Sequence, residues 1–172
     1  MVDDLRLEFT TQHEQAKSDQ QNITTMTVES LRKEVKSLIY LTVGYEKIPG
    51  AGQFLIPTDS RTWIDAKRYC ESKLGFLVEF VNRELEETVK NYVKTNYEIS
   101  TFWLGARDHQ TEGVFKWEST NQTLDELYTN WGEGEPNNHD DREDCAEFSS
   151  FAWNDMDCSE SRRFICQLKS SP

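Results

Sequence analysis

No run of apolar residues in this chain reaches the roughly 18 that a membrane-spanning helix needs, so no segment is expected to insert into a bilayer. Basic residues are scarce: 19 Lys and Arg stand against 31 Asp and Glu, a net charge of -12. Nucleic acid and anionic membrane surfaces are held by basic patches that displace counterions, and are therefore excluded as partners. Cysteine is absent before Cys70, and no Cys-x-x-Cys pair occurs, which removes the zinc and dithiol sites built on such pairs. The chain begins Met1-Val2-Asp3-Asp4, without the charged and apolar regions of a signal peptide, so the expectation is a mature secreted form or an ectodomain.

Catalytic signatures are missing too. His13, His109 and His139 share no metal spacing, and there is no His-Glu-x-x-His motif, EF-hand loop, phosphate-binding glycine loop or nucleophile elbow. The chain is expected not to be an enzyme.

What is present is enough for one globular domain and an appendage: 172 residues, 36% hydrophobic and 12% aromatic. Four cysteines, all between Cys70 and Cys166, read as two disulfides formed in an oxidising compartment. Four cysteines allow three pairings. Asn22-Ile23-Thr24 and Asn121-Gln122-Thr123 are glycosylation acceptors, Asn22 and Asn121 being the candidate sites.

Residues 1–22 are polar without periodicity and read as a flexible tail. Over residues 23–45 an amphipathic helical neck is expected, with Val28, Leu31, Val35 and Leu38 stepping by three and four. This stripe is suited either to packing on the chain's own domain or to homo-oligomerisation through residues 28–38. Pro49, Gly50 and Gly52 break the pattern before the globular part.

Within that part, Ser60 or Thr62 is placed to cap a helix carrying Trp63, Ala66, Tyr69 and Cys70, and Asn82 to cap another with the stripe Leu85, Val89 and Val93. Short strands are expected at 76–80, 102–106, 114–117, 145–148 and 164–167. The stretch from Glu118 to Asp144 has no helix or strand pattern. A loop that long in a compact domain is usually functional.

Glu133, Glu135, Asp140, Asp141, Glu143, Asp144 and Glu147 fall within fifteen residues, relieved only by Arg142. Such a stretch is either a solvated acidic loop or one that gathers cations. Glu135-Pro136-Asn137, Glu143 and Asn154-Asp155 offer carboxylate and amide oxygens, the donor set of calcium, which takes 6 to 8 oxygens. The amides leave N–H donors facing outward, so a polyhydroxylated ligand fits beside the ion. Glu135 and Glu143 could be imagined as a glycosidase pair, but their remaining oxygens are better explained by calcium.

Trp63 and Ala66 before Cys70, Gly75-Phe76-Leu77-Val78, Trp103-Leu104-Gly105, Glu135-Pro136-Asn137, Cys145, Trp153-Asn154-Asp155, Cys158 and Cys166 occur in an order and spacing that resemble the C-type lectin-like domain, over residues 46–168. The resemblance implies an α+β fold with two helices, small antiparallel sheets and a long calcium-binding loop, here preceded by the N-terminal helix and followed by a short tail at 169–172. It implies disulfides Cys70–Cys166 and Cys145–Cys158, the short form that lacks a third, N-terminal bridge.

It also implies a principal calcium site of Glu135, Asn137, Glu143, Asn154 and Asp155, with Pro136 after a cis bond. An auxiliary site of Asp108, Glu112, Asn138, Glu143 and Asp144 would make a second ion. In this family the Glu-Pro-Asn order goes with equatorial vicinal hydroxyls, as in mannose, glucose, N-acetylglucosamine and often fucose, whereas Gln-Pro-Asp goes with galactose. The expectation is a secreted, calcium-dependent lectin for mannose-type glycans on glycoproteins or microbial surfaces, acting in innate recognition or adhesion. The rivals are an acidic mineral-associated matrix protein and a calcium-independent protein-binding domain.

Overall fold

The computed structural model describes residues 2–168. The chain divides into two units, Met1–Val43 and Gly44–Pro172. Residues 169–172, read from the sequence as a tail, lie outside the described residues.

The first unit is one helix, α1 (Val2–Val43). Here the structure departs from the sequence reading, which placed a flexible tail over residues 1–22 and began the helix at residue 23. Neither glycine nor proline occurs before Gly44, so nothing interrupts the i to i-4 ladder, and Gln, Glu, Lys, Leu and Met are good helix formers. The threonines, poorer formers, bond backward within the helix: Thr24 and Thr25 Oγ1 donate to the Gln20 and Gln21 carbonyls at 2.9 and 2.8 Å. Asn22 is exposed on this helix. Val28, Leu31, Val35 and Leu38 are 42%, 54%, 54% and 63% exposed, an uncovered apolar stripe.

The second unit is α+β, with elements β1 (Glu46–Ile48), β2 (Gly52–Leu55), α2 (Trp63–Ser72), β3 (Gly75–Leu77), α3 (Arg83–Tyr97), β4 (Thr101–Arg107), β5 (Lys116–Trp117), β6 (Cys145–Ser149), β7 (Ala152–Met156) and β8 (Cys166–Leu168). They form two antiparallel sheets, in the orders β1-β2-β8-β3 and β5-β4-β6-β7. The hairpin β1–β2 turns through Pro49 and Gly50, residues that the sequence reading took as a break. Both helix caps follow the local chemistry. Thr62 Oγ1 accepts from Asp65 N–H at 3.4 Å, and Asn82 Oδ1 accepts from Leu85 N–H at 2.8 Å.

Four tryptophans, Trp63, Trp103, Trp117 and Trp153, are fully buried and anchor the core. The Trp117 and Trp131 rings stand edge-on to Trp153 at 5.7 and 5.8 Å, so the stem of the long loop is packed on β7. Gly105 is needed where β4 passes β3, because a Cβ there would lie 2.6 Å from the Leu77 carbonyl oxygen. Disulfides join Cys70 to Cys166 and Cys145 to Cys158. The first ties α2 to β8. The second ties β6 to the segment after β7.

Candidate functional site

Strand β7 sets the geometry, because alternate side chains share a face. Trp153 and Asp155 are both buried, Asp155 being 1% exposed. Trp153 fills the core, and two residues on, the Asp155 carboxylate reaches the long loop, where it accepts from Asn137 N–H at 3.0 Å and Asn138 N–H at 2.7 Å. The loop carrying Glu135-Pro136-Asn137 is thereby clamped to the sheet. The Glu135–Pro136 peptide is cis.

Beyond Asn137 the backbone turns sharply. Asn138, Asp140 and Asp141 hold φ values of 43°, 57° and 54°, the left-handed region that Asn and Asp enter more readily than bulkier residues. This short 3-10 turn is closed at both ends. Glu143 N–H donates to Asn138 Oδ1 at 3.0 Å, and Glu143 Oε2 accepts from His139 N–H at 3.0 Å. On β7, Asn154 Nδ2 donates to Glu147 Oε1 at 3.3 Å and to the Asp155 carbonyl at 2.6 Å.

The second predicted set lies where β4 ends. Asp108 is 3% exposed; its Oδ2 accepts from Gly113 N–H at 2.7 Å, and its own N–H donates to the Asp144 carbonyl at 3.2 Å. Desolvation raises the Asp108 carboxyl above its ordinary value, with the charges of Asp144 and Asp155 adding to it against the Gly113 bond. Glu112 is likewise raised, by desolvation and by Asp108 and Asp144. Glu135 is raised by desolvation and by its contact with Asp155, with Glu143 contributing.

Glu135 thus lies within electrostatic reach of Asp155 and Glu143, and Glu112 within reach of Asp108 and Asp144, while Asn154 turns its amide N–H to Glu147 and the Asp155 carbonyl. Each predicted set contains a buried oxygen without a hydrogen-bond partner, Glu135 Oε2 in one and Asp108 Oδ1 in the other. A buried acceptor left unmade costs about 1–3 kcal/mol, more when charged, and a divalent cation satisfies it. The donor set, carboxylate and amide oxygens only, fits calcium. Among the described residues no three His, Cys, Asp or Glu side chains converge into a metal-ready cluster. Asp155 and Glu143 instead point at backbone N–H groups of the loop, which is where a carboxylate finds its charge balance within the chain.

Sequence reasoning missed the support beneath this site. Glu86 on α3 is fully buried and accepts from Trp153 Nε1 at 2.7 Å and Asn130 Nδ2 at 2.6 Å. Asn130 in turn exchanges backbone contact with β7, its carbonyl accepting from Trp153 N–H at 2.7 Å. One carboxylate therefore joins α3, β7 and the loop stem, two residues from Asp155. Burial raises its pKa, against the two bonds that lower it. Nothing local marks Glu86, one of several acids on its helix.

The sequence profile described as "Lectin C-type domain" matches residues 59–168. The chain belongs to the C-type lectin family. It is 32% identical over 145 residues to "Salivary C-type lectin 2" of Aedes albopictus, a match covering 77% of this chain and 94% of that protein. It is 34% identical over 124 residues to E-selectin of Sus scrofa, where the match covers 68% of this chain but only 25% of the relative. Among solved structures, the mouse scavenger receptor C-type lectin carbohydrate-recognition domain superposes with a TM-score of 0.63 at 28% identity, covering 75% of this chain and 98% of that one. A trimeric Kupffer cell C-type lectin receptor shares the fold, with a TM-score of 0.70 at 20% identity over 85% of this chain and 96% of that one.

Membership places this lectin domain among carbohydrate-binding proteins rather than enzymes, in a family whose domains generally bind calcium. No helix among the described residues is long and apolar enough to cross a membrane.

Proposed function

We propose that this C-type lectin is a calcium-dependent receptor for mannose-type glycans, working outside the cell in recognition or adhesion. Glu135, Asn137, Glu143, Asn154 and Asp155 are the residues that would hold the ion, and Asp108, Glu112, Asn138, Glu143 and Asp144 would hold a second. Bound calcium supplies coordination positions for two vicinal hydroxyls. The chain's own part is to read them: each hydroxyl can donate to a carboxylate oxygen and accept from an Asn amide N–H. The observation that carries the reading is the unpartnered, buried Glu135 Oε2, set in a loop that Asp155 fastens through Asn137 and Asn138.

Selectivity is tested at the same two side chains. Glu135→Gln with Asn137→Asp exchanges a carboxylate and an amide across the site, reversing which position donates and which accepts. The double variant is expected to lose retention on mannose resin by at least about tenfold, roughly 1.4 kcal/mol, and to gain it on galactose resin. An unchanged sugar profile would place selectivity elsewhere in the loop.

One open site touching one sugar binds weakly, so useful avidity needs several copies. The uncovered stripe Val28, Leu31, Val35 and Leu38 on α1 is the surface that would bring them together. Glycosylation at the exposed Asn22 and Asn121 belongs to the same extracellular reading.

A further inference from the structure

The Asn154 side chain has two ends of opposite character, and only one suits a cation. An amide carries an oxygen that accepts and an NH2 that donates two protons. A half-turn of the group would therefore exchange a ligand for a repulsive contact. Asn154 Nδ2 has an acceptor within the chain for each proton: the Asp155 carbonyl at 2.6 Å and Glu147 Oε1 at 3.3 Å. What remains for an ion is Oδ1.

Glu147 belongs to neither proposed calcium set. It stands on β6 directly opposite Asn154 on β7, and it is 3% exposed. A carboxylate so buried is costly unless it is paired. Arg162 pairs it, Nε donating to Oε2 at 2.6 Å. Arg162 is fixed in turn: its N–H donates to the Arg61 carbonyl at 3.0 Å, its own carbonyl accepts from Arg61 N–H at 2.9 Å, and its guanidinium lies 5.8 Å from the centre of the Trp103 ring. One carboxylate oxygen of Glu147 therefore serves Arg162, and the other serves Asn154.

We infer that Glu147, held by Arg162, is a positioning residue for the cation site: it fixes the Asn154 amide with its N–H toward the sheet and so keeps Oδ1 for the ion. The inference rests on the calcium reading of Glu135 to Asp155. Its chemistry is that of a carboxylate that only accepts. A Gln at position 147 would give its one oxygen to Arg162 and turn N–H donors toward Asn154. Two donors facing each other favour the flipped amide, which presents N–H to the cation.

The test is a double-mutant cycle read by calcium affinity alone, by isothermal titration of calcium into the metal-stripped full chain without sugar. Glu147→Gln is expected to weaken calcium binding by at least about tenfold, since partners that orient a metal ligand are worth roughly 10–100-fold in affinity. Asn154→Asp removes the need for orientation, because a carboxylate offers an oxygen whichever way it turns. In that background Glu147→Gln should change calcium affinity by less than about twofold, the scatter of independent sites. Tryptophan fluorescence checks folding, and Glu147→Met takes the place of Glu147→Gln if the latter does not fold.

A loss of the same size in both backgrounds would make Glu147 a merely structural residue and overturn the inference. So would an unchanged affinity in the Glu147→Gln chain. A wild-type chain that gives no calcium isotherm would overturn the calcium reading itself, and this inference with it. The two failures are distinguishable, because the wild-type titration alone decides the second.

Discussion

Replacing Asp155 with Ala is expected to abolish retention on mannose resin while leaving a folded but less stable domain. The carboxylate is buried and spends both oxygens on the loop, at 3.0 Å to Asn137 N–H and 2.7 Å to Asn138 N–H. Those two residues belong to different proposed ligand sets, so one side chain positions both. Hydrogen bonds to a charged group contribute about 1.5–3 kcal/mol each, and the amides left behind lose their acceptors. Urea unfolding should therefore report a loss of roughly 2–4 kcal/mol, with sugar binding gone altogether. Asp155→Asn keeps one acceptor oxygen and should recover part of the stability but none of the binding. An Asp155→Ala protein that still binds mannose resin as the wild type does would show that the loop is held, and the sugar read, by something else.

Charging the α1 stripe should have an effect as large, seen only on multivalent surfaces. Leu31 and Leu38 are more than half exposed on a helix of 42 residues, and helices whose apolar face meets only water gain little from it. If copies of the chain associate through this stripe, Leu31→Glu with Leu38→Glu separates them. Avidity from linked sites amounts to 10²–10⁴ without any new contact. The variant should therefore bind a mannan-coated surface about 10²–10⁴ times more weakly, bind a monovalent mannoside as before, and sediment as a monomer. Wild-type chain that already sediments as a monomer, or a variant with undiminished binding to mannan, would remove α1 from the account.

How much of this was legible in the sequence depended on how local the physics is. The cap at Asn82 was read directly and the other was narrowed to Ser60 or Thr62, of which the structure uses Thr62, because a cap is settled within three residues. Hairpin β1–β2 was not found. Its strands are 3 and 4 residues long, too short for alternation to register, and β2 is completed by β8 from the far end of the chain. A turn through Pro49 and Gly50 also carries the same signal as a domain break.

The tail reading over residues 1–22 rested on their polarity, which does not forbid a helix: a helix needs an apolar stripe to pack, but only compatible residues and no breakers to form. The candidate ligands were proposed from two short motifs, Glu135-Pro136-Asn137 and Trp153-Asn154-Asp155, with Glu143 between them, because their order carries the resemblance. The support beneath them was not legible. Burial of Glu86 beneath Trp153 follows from how α3 lies against β7, which no window of sequence contains.

The central claim is that sugar is held through calcium at Glu135 to Asp155. Isothermal titration of a monovalent methyl mannoside into the full chain, in calcium and again after chelation, tests it most directly. The account predicts a saturable isotherm in calcium, none in chelator, and full recovery when calcium is returned. An isotherm that persists unchanged in chelator, or none in either condition, would contradict it.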